Sequence, residues 1–289
     1  MPQETPDPPE DTGDESTWSL DDDAISDTDW VPPAVDDTKP SVARMYDYYL
    51  GGKDNFAVDR EAAGKVMALM PDARDISRVN REFLVLAVRT MAAAGVRQFI
   101  DLGTGIPTSP NVHETARAVH PDAAVVYVDN DPAVMAHNRA LLSRHPRVIT
   151  VPHDLREPRA VLDDPAVRRV IDFTRPVGRL FIAVLHFVDH GTAPEVVDRY
   201  LRPLVPGSHV AISTATRDGV DPEVVRRVEA VYSGATAPFV YRTQPQAEAL
   251  FDDLDLLPPG VVDVYEWTKG TPSLSPTVRG LAGIGVKRP

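Results

Sequence analysis

The sequence predicts an α/β protein with a doubly wound, mostly parallel sheet. From residue 97 onward, strand-like runs alternate with helical runs, as expected for a parallel sheet with helices on both faces. Three of these strand-like runs end in an aspartate, at Asp101, Asp129 and Asp154. The intervals of 28 and 25 residues are close to the roughly 30 residues of a strand–helix–strand unit. The three carboxylates are therefore expected at the carboxyl ends of neighbouring strands, where ligands bind in open α/β sheets.

The alternating part contains five predicted strands and four predicted helices. The strands cover residues 97–102, 124–129, 147–152, 179–185 and 208–215, and the helices cover 111–119, 132–144, 156–172 and 193–203. After helices near 222–232 and 244–254 the alternation stops, because 260–267 and 281–287 read as strands joined only by a Pro/Ser/Gly loop. These two strands can pair antiparallel. The result is a seven-stranded sheet with one antiparallel strand.

A helical layer is predicted before the sheet. Ser41 can cap a helix that runs to Leu50 and stops at Gly51-Gly52. Two more amphipathic helices are predicted over residues 60–69 and 76–94. We therefore expect three parts: a disordered, acidic, Pro-rich tail (1–38), an N-terminal helical cap (39–95) and a Rossmann-like domain (96–289).

Composition excludes several classes of protein. The formal net charge is −13, but residues 1–37 hold 13 acidic and no basic residues, so the remaining 30 acidic residues balance the 30 Lys and Arg. A basic footprint for nucleic acid is not visible, and we expect no nucleic-acid partner. The chain shows no run of 18 apolar residues, no signal-peptide pattern and no cysteine. We expect a cytoplasmic protein without a membrane partner, and the oligomeric state stays open.

The turn after the first strand indicates which ligand binds. In Gly103-Thr-Gly105-Ile-Pro-Thr108, Thr108 replaces the third glycine of a dinucleotide-binding turn. Asp101 would repel a pyrophosphate but can accept hydrogen bonds from an ammonium group. Three carboxylates beside such a turn suit a ligand with a cation, a ribose diol and an exocyclic amine. S-adenosylmethionine has all three, although a purely structural turn is the alternative for this motif alone.

Several segments carry a resemblance to a known family. They are Ala43-Arg-Met-Tyr-Asp-Tyr-Tyr-Leu-Gly-Gly-Lys-Asp-Asn-Phe56, Phe99-Ile-Asp-Leu-Gly-Thr-Gly-Ile-Pro-Thr108, Tyr127-Val-Asp-Asn-Asp-Pro132, Asp154-Leu-Arg-Glu-Pro158 and Ala183-Val-Leu-His-Phe-Val188. From about residue 40 to the C-terminus the chain resembles a bacterial S-adenosylmethionine-dependent methyltransferase family that was formerly a domain of unknown function. The resemblance implies a class I methyltransferase-like, Rossmann-like fold and binding of the methyl donor S-adenosylmethionine by the domain over residues 96–289. It supplies no acceptor.

The fold's usual arrangement assigns donor-binding roles to the strand ends. Asp101 would face the methionine end, Asp129 would accept both ribose hydroxyls, and Asp154 would accept from the adenine amine. An alternative for Asp154 is a capping box with Glu157. The residues assigned to the donor in this part of the chain are Asp101, Gly103, Thr104, Gly105, Asp129, Asn130, Asp154 and Leu155.

The N-terminal layer supplies a second group of candidates. The loop at residues 51–55 is polar and rich in glycine, and such loops often close over a ligand. We predict donor contacts from this loop and its neighbours, namely Tyr46, Tyr49, Gly51, Gly52, Lys53 and Arg81. Core packing explains the tyrosines equally well. Arg81 can pair with the donor carboxylate or lie on a solvated helix face.

His186 follows the fourth predicted strand and is the catalytic candidate. A hydroxyl acceptor needs a base near neutral pH, which a histidine can supply. The alternatives are a histidine that lines the donor pocket or bonds to the backbone. His186, Asp189 and His190 have helical metal-ligand spacing, but further acidic ligands are missing and no metal is predicted.

These observations predict a methyltransferase that uses S-adenosylmethionine as its cofactor and methylates oxygen or nitrogen of a small-molecule acceptor. One alternative is an S-adenosylmethionine-binding sensor or scaffold without transferase activity. A more remote one is an NAD(P)-dependent oxidoreductase, which the turn at Asp101 disfavours.

Overall fold

One mixed sheet with helices on both faces organises the protein. The computed structural model describes residues 35–142, 145–270 and 277–288, so most of the predicted tail, residues 1–34, lies outside the described residues. The strands are β1 (Gln98–Leu102), β2 (Ala124–Val128), β3 (Val148–Val151), β4 (Gly178–Ile182), β5 (His209–Thr216), β6 (Leu254–Leu256), β7 (Val262–Asp263) and β8 (Arg279–Lys287).

Eleven α-helices are found in the described part of the chain. They are α1 (Val42–Leu50), α2 (Ala57–Leu69), α3 (Ala73–Ala93), α4 (Val112–Arg117), α5 (Pro132–Leu142), α6 (Pro158–Leu162), α7 (Pro165–Val170), α8 (Thr192–Leu201), α9 (Pro222–Tyr232), α10 (Gln244–Glu248) and α11 (Val264–Thr268). Short 3-10 helices cover Leu185–Phe187 and Ala249–Phe251. None of the helices in these described ranges combines the length and the apolar character needed to span a membrane.

The strand order confirms the predicted doubly wound sheet. The order is β3-β2-β1-β4-β5-β8-β6, with β1 to β5 mutually parallel and β8 antiparallel to β5. β6 and β7 both pair antiparallel with β8, β6 at residues 285–287 and β7 at residues 281–282. The two short strands therefore share one edge position. Eight strands occupy the seven positions that the sequence predicted, with β8 as the reversed strand.

The predicted strand over residues 260–267 is wrong beyond Asp263. Pro258 and Pro259 have no N–H to donate, so the strand ladder is interrupted between β6 and β7. The Asp263 side chain then accepts the Tyr265 N–H at 3.1 Å and starts helix α11. Trp267 packs against Phe83 with the ring centroids 5.7 Å apart.

Two predicted helices are also divided. The predicted helix 156–172 is two short helices, because Asp164 caps α7 by accepting the Ala166 N–H at 2.6 Å, and Pro165 occupies the first helical position. The predicted helix 244–254 ends early in the 3-10 turn at 249–251 and is followed by β6. In both places a capping residue or a turn ends the helix, although the helical spacing of apolar residues continues in the sequence.

Alternate residues of β1 point into separate cores on the two faces of the sheet. Ile100 packs in the cluster that includes residues of α7 and α8, whereas Phe99 packs in the cluster that includes α3. Helix α3 was predicted as part of the cap but covers a face of the sheet, with Phe83, Leu84 and Val88 buried. Helices α1 and α2 instead form a third cluster with α9.

A buried ion pair fixes the start of helix α1. The Arg44 Nε and Asp59 Oδ2 atoms lie 2.7 Å apart, and both side chains are almost completely buried. Asp59 also accepts the Ser41 N–H at 2.8 Å. The Ser41 hydroxyl in turn donates to Asp131, directly after β2, at 2.5 Å. These contacts hold the N-terminal end of α1 at the carboxyl edge of the sheet.

Candidate functional site

A cavity of about 340 Å³ lies at the carboxyl ends of the parallel strands. Its floor comes from residues at the ends of β1, β2, β3 and β4, and its other side comes from helix α1 and the loop after α9. The lining residues on the sheet side include Asp101, Gly103, Thr104, Gly105, Asp129, Asn130, Asp131, Asp154, Leu155, Ala183 and Val184, and those on the other side include Val42, Ala43, Tyr46, Thr236 and Ala237. The structure thus brings all three predicted aspartates to one cavity.

Asp129 is partly buried and only partly hydrogen-bonded. Its Oδ2 atom accepts the Gly105 N–H and its Oδ1 atom accepts the Asp131 N–H, each at 2.9 Å. A carboxylate has about four lone-pair sites, so each oxygen can accept one further hydrogen bond. Burial raises the pKa of Asp129 to about 6, while the two N–H groups act to lower it. Asp129 therefore fits a ligand that offers two hydrogen-bond donors.

Asp101 is only 4% exposed on β1. Burial raises the pKa of its carboxyl to about 6, against the hydrogen bond from Thr104 and the charge of Arg81. The Arg81 Nη2 atom donates to the Thr108 carbonyl at 2.5 Å and to the Pro110 carbonyl at 3.0 Å. A negative and a positive side chain therefore meet at this end of the cavity.

The glycines of the first turn have different roles. Gly103 and Gly105 both have positive φ, at 71° and 65°. A Cβ on Gly103 would lie 2.2 Å from the Val184 Cγ2 atom, so this glycine is required by packing against the segment after β4. A Cβ on Gly105 would meet nothing within 4 Å. Because Gly105 lines the cavity, its missing side chain leaves space for a ligand.

The Asp154 side chain belongs to a turn and does not cap a helix. It accepts the Arg156 N–H at 2.8 Å and the Asn130 Nδ2–H at 3.1 Å, and Arg156 Nη2 lies 2.5 Å away. Burial acts to raise its pKa, but the hydrogen bonds and charge of Arg156 hold that pKa below its ordinary value. Helix α6 begins only at Pro158, with Glu157 at the N-cap. The capping-box alternative is therefore wrong.

Besides His186, which is described below, four predicted donor contacts lie outside the cavity lining. Gly51, Gly52 and Lys53 do not line it, and neither does Tyr49. Tyr49 instead lies 3.1 Å from Tyr232, measured between the two hydroxyl oxygens. We therefore remove these four residues from the candidate donor site.

The loop at residues 51–55 has a structural explanation. Gly51 ends helix α1 at φ 83°, and its N–H donates to the Tyr48 carbonyl at 3.1 Å. The Asp47 carboxylate accepts the Asp54 N–H at 3.0 Å and the Asn55 Nδ2–H at 2.7 Å. These bonds hold the loop against its own helix. The polar composition that suggested a lid reflects a helix C-cap.

His186 is buried but does not line the 340 Å³ cavity. Its Nδ1 atom accepts the Ala215 N–H at 3.4 Å. Burial, and then the charge of Arg242, lowers the pKa of His186 to about 3. The ring is therefore neutral at physiological pH and weakly basic, which disfavours the general-base role. The alternative in which His186 bonds to the backbone matches the geometry.

Sequence reasoning missed a polar network behind the cavity. Asn80 Nδ2 donates to the Tyr46 hydroxyl at 2.9 Å, and Asn80 Oδ1 accepts from the Ser213 hydroxyl at 2.6 Å. Ser213 Oγ accepts the Ala183 N–H at 2.9 Å. Ala183 has φ 53°, a conformation that non-glycine residues rarely adopt and that is common at functional sites. The single cue in the sequence was a polar Asn80 beside Arg81 on an otherwise apolar face.

Comparison with known proteins identifies the family. The sequence matches the S-adenosyl methyltransferase family over residues 28–288. The chain belongs to this family. A DUF574 family protein from Streptomyces avermitilis is 38% identical, with a TM-score of 0.83 over 88% of this chain and 99% of its own. A protein from Thermobifida fusca, described as a candidate methyltransferase, is also 38% identical, with a TM-score of 0.82 over 91% of this chain and 100% of its own.

Membership confirms the predicted resemblance. This methyltransferase uses S-adenosylmethionine, and the NAD(P)-dependent oxidoreductase alternative is wrong. No curated protein matches the chain.

Proposed function

We propose that the 340 Å³ cavity binds S-adenosylmethionine and that the methyl group passes there to a small-molecule acceptor, by O- or N-methylation. One observation carries the proposal: Asp101, Asp129 and Asp154 surround a single cavity beside the turn at Gly103–Gly105. When bound, this donor would supply an electrophilic methyl group on a sulfonium. The acceptor oxygen or nitrogen would bond to the methyl carbon as the carbon–sulfur bond breaks, S-adenosylhomocysteine would leave, and the proton of the acceptor would pass to solvent.

The cavity residues match the groups of the donor. Asp129 retains two acceptor sites after its bonds to Gly105 and Asp131, which suits the two hydroxyls of a ribose. Asp101 and Arg81 provide opposite charges for the ammonium and carboxylate of an amino acid. Asn130 and Asp154 supply polar groups for an adenine. These assignments keep ten of the predicted donor residues, namely Tyr46, Arg81, Asp101, Gly103, Thr104, Gly105, Asp129, Asn130, Asp154 and Leu155.

The position of the helical layer favours a small-molecule acceptor. Val42, Ala43 and Tyr46 of α1, together with Thr236 and Ala237, line the cavity opposite the strand ends. A site between two layers excludes water and aligns two small reactants, which is the main requirement of an in-line methyl transfer. Because His186 is weakly basic, we assign it no role as a base, and its Nδ1 atom accepts the backbone N–H of Ala215.

Calorimetry on the full chain tests the donor assignment. Wild-type protein should bind S-adenosylhomocysteine and should not bind NAD. Asp129→Ala should weaken S-adenosylhomocysteine binding by about 1.5–3 kcal/mol, the scale of hydrogen bonds to a charged group. Asp122→Ala is the matched control, because that carboxylate is exposed and pairs only with Arg97 in the described structure. Equal affinity in both variants would contradict the ribose assignment.

Turnover on a library of small acceptors tests the second half of the proposal. Formation of S-adenosylhomocysteine should depend on the acceptor and should be lost in the Asp129→Ala variant at limiting donor. Turnover with a protein or nucleic-acid acceptor, and with none of the small molecules, would contradict the small-molecule assignment.

A further inference from the structure

A second, smaller pocket of about 90 Å³ adjoins the donor cavity. Val42, Tyr46, Asn80, Ala183 and Phe187 line both spaces. The two spaces therefore meet at these five residues. A molecule in the smaller pocket would lie next to a ligand in the larger one.

Aromatic side chains form one wall of this pocket. The rings of His186 and Phe239 lie 4.5 Å apart between centroids and 31° from parallel, and those of Tyr232 and Phe239 lie 4.8 Å apart. Phe187 contacts the same group, with its ring 5.6 Å from that of Phe239. Flat apolar groups pack favourably on such faces and edges. Aliphatic side chains also line the pocket, namely Val66, Met70, Ala73 and Ile76 from helices α2 and α3 and the segment between them.

Within the described residues, the pocket offers no counterion to a cation, and its one positive side chain is already bonded. Among the described residues that line it, Arg279 is the one side chain that is charged at neutral pH, and no carboxylate is present. The Arg279 guanidinium is already bonded, to Asp263 Oδ2 at 3.2 Å and to the Asp218 carbonyl at 2.9 Å. His186 is neutral, as described above. Transfer of a charged group into this environment would cost its hydration without compensation, so the pocket selects a neutral molecule.

Hydrogen-bonding groups lie on the side shared with the donor cavity. The Tyr46 hydroxyl donates to the Ser77 carbonyl at 3.1 Å and accepts from Asn80 Nδ2 at 2.9 Å. A phenolic oxygen has a second lone pair, and an amide nitrogen has a second N–H. One acceptor and one donor thus remain available where the two spaces meet. A ligand with an apolar end and one polar group would place the polar group at this boundary.

The size of the pocket limits the ligand to one ring. An engineered apolar cavity of about 150 Å³ admits benzene. The present pocket is smaller, at about 90 Å³, so a single ring fits if its edge extends past the shared residues toward the donor cavity. A fused bicyclic ring would extend further and occupy part of the donor cavity.

We propose that this pocket binds the methyl acceptor and that the acceptor is a neutral, single-ring aromatic molecule with one hydroxyl or amino group directed toward Tyr46 and Asn80. The proposal rests on the proposed function, because it takes the larger cavity as the donor site. It assigns Phe187, Tyr232 and Phe239 to ring recognition. Tyr46 and Asn80 become positioning residues for the acceptor atom.

Fluorine NMR of the full chain with three probes tests this inference. The probes are 4-fluorophenol, 4-fluoroaniline and the charged 4-fluorobenzoate. We expect the two neutral probes to bind at least about tenfold more tightly than 4-fluorobenzoate, a difference of about 1.4 kcal/mol. Equal binding of 4-fluorobenzoate would overturn the proposal.

Two variants fill the pocket from different elements of the fold. Ala215 on β5 and Ala73 on α3 line the smaller pocket and do not line the donor cavity. Ala215→Leu and Ala73→Leu should each weaken binding of 4-fluorophenol about tenfold or more, because the added methyl groups occupy the space of the ring. Affinity for S-adenosylhomocysteine should stay within about twofold of wild type in each folded variant. Two independent positions keep the test valid if one substitution impairs folding.

The Asp129→Ala variant gives the reciprocal control. It should lose affinity for S-adenosylhomocysteine and retain 4-fluorophenol binding. Unchanged 4-fluorophenol binding in the filled variants would overturn the acceptor pocket alone. Failure of wild-type protein to bind S-adenosylhomocysteine would instead contradict the proposed function, so the two failures are distinguishable.

Discussion

Replacing Asp101 by asparagine should stabilise the ligand-free protein at neutral pH and weaken donor binding. Burial raises the pKa of Asp101 to about 6, against 3.8 in an unfolded chain. Because the folded-state pKa is the higher one, ionisation of Asp101 opposes folding. This destabilisation is absent below pH 3.8, grows between pH 3.8 and about 6, and is complete above about pH 6. The difference in pKa corresponds to about 3 kcal/mol as an upper limit.

Urea unfolding at two pH values measures this effect. At pH 7.5, Asp101→Asn should raise the free energy of unfolding by about 1–3 kcal/mol. At pH 4 the gain should fall below about 1 kcal/mol, because the wild-type carboxyl is then protonated in the folded state. Asp75→Asn is the control, because the Asp75 side chain is 64% exposed on α3 and should change stability by less than about 0.5 kcal/mol.

Donor binding should move in the opposite direction. Asp101→Asn should weaken binding of S-adenosylhomocysteine by about 10- to 150-fold, the equivalent of about 1.5–3 kcal/mol for a lost charge-assisted hydrogen bond. A variant that is destabilised equally at pH 4 and pH 7.5 would refute the burial argument. A stabilised variant with unchanged donor affinity would refute the binding role only.

Three further outcomes are expected. Affinity for S-adenosylhomocysteine, measured by calorimetry, should rise as the pH increases through about 6. Burial raises the pKa of both Asp101 and Asp129 to about 6, and the ionised carboxylates are the forms that accept hydrogen bonds. An affinity independent of pH between 5 and 7 would contradict this prediction. Gly52→Ala should lower the free energy of unfolding by about 1–3 kcal/mol, because the added Cβ would lie 1.9 Å from Asp47 Oδ1, and donor affinity should not change in the folded variant. A loss of donor affinity there would return the loop to the donor site. Gly64→Ala, on the exposed face of α2 where an added Cβ meets nothing within 4 Å, should stabilise the protein by about 0.5–1 kcal/mol in the same unfolding assay.

Long, strongly patterned segments were predictable from the sequence. The helix at 42–50 and the helix at 222–232 have the predicted bounds, because a capping residue or a proline marks their starts. The β1 to β5 strands were also found within one or two residues at most ends. The edge near residues 254–268 was not predictable by alternation. There, two prolines and the cap at Asp263 determine where pairing stops, and the apolar alternation does not.

Some residues of the candidate site were predictable from the sequence and others were not. Asp101, Asp129 and Asp154 could be found because strand ends in a parallel sheet meet at one edge wherever the chain alternates. Tyr49 and His186 could not be distinguished from donor contacts by spacing. Their side chains point into an adjoining pocket and an aromatic cluster that form only when distant segments pack together.

Local patterns in the sequence were enough to predict the parallel sheet, its turn of two glycines and the position of three in-phase aspartates at one edge of that sheet. These features depend on local period, turn residues and topology, all of which are written within about one strand–helix–strand unit. The apolar pocket beside the larger cavity depended instead on tertiary structure. The physical reason is distance along the chain, because the pocket joins α1, α3, β5 and α9, and no local pattern records which of their side chains will meet.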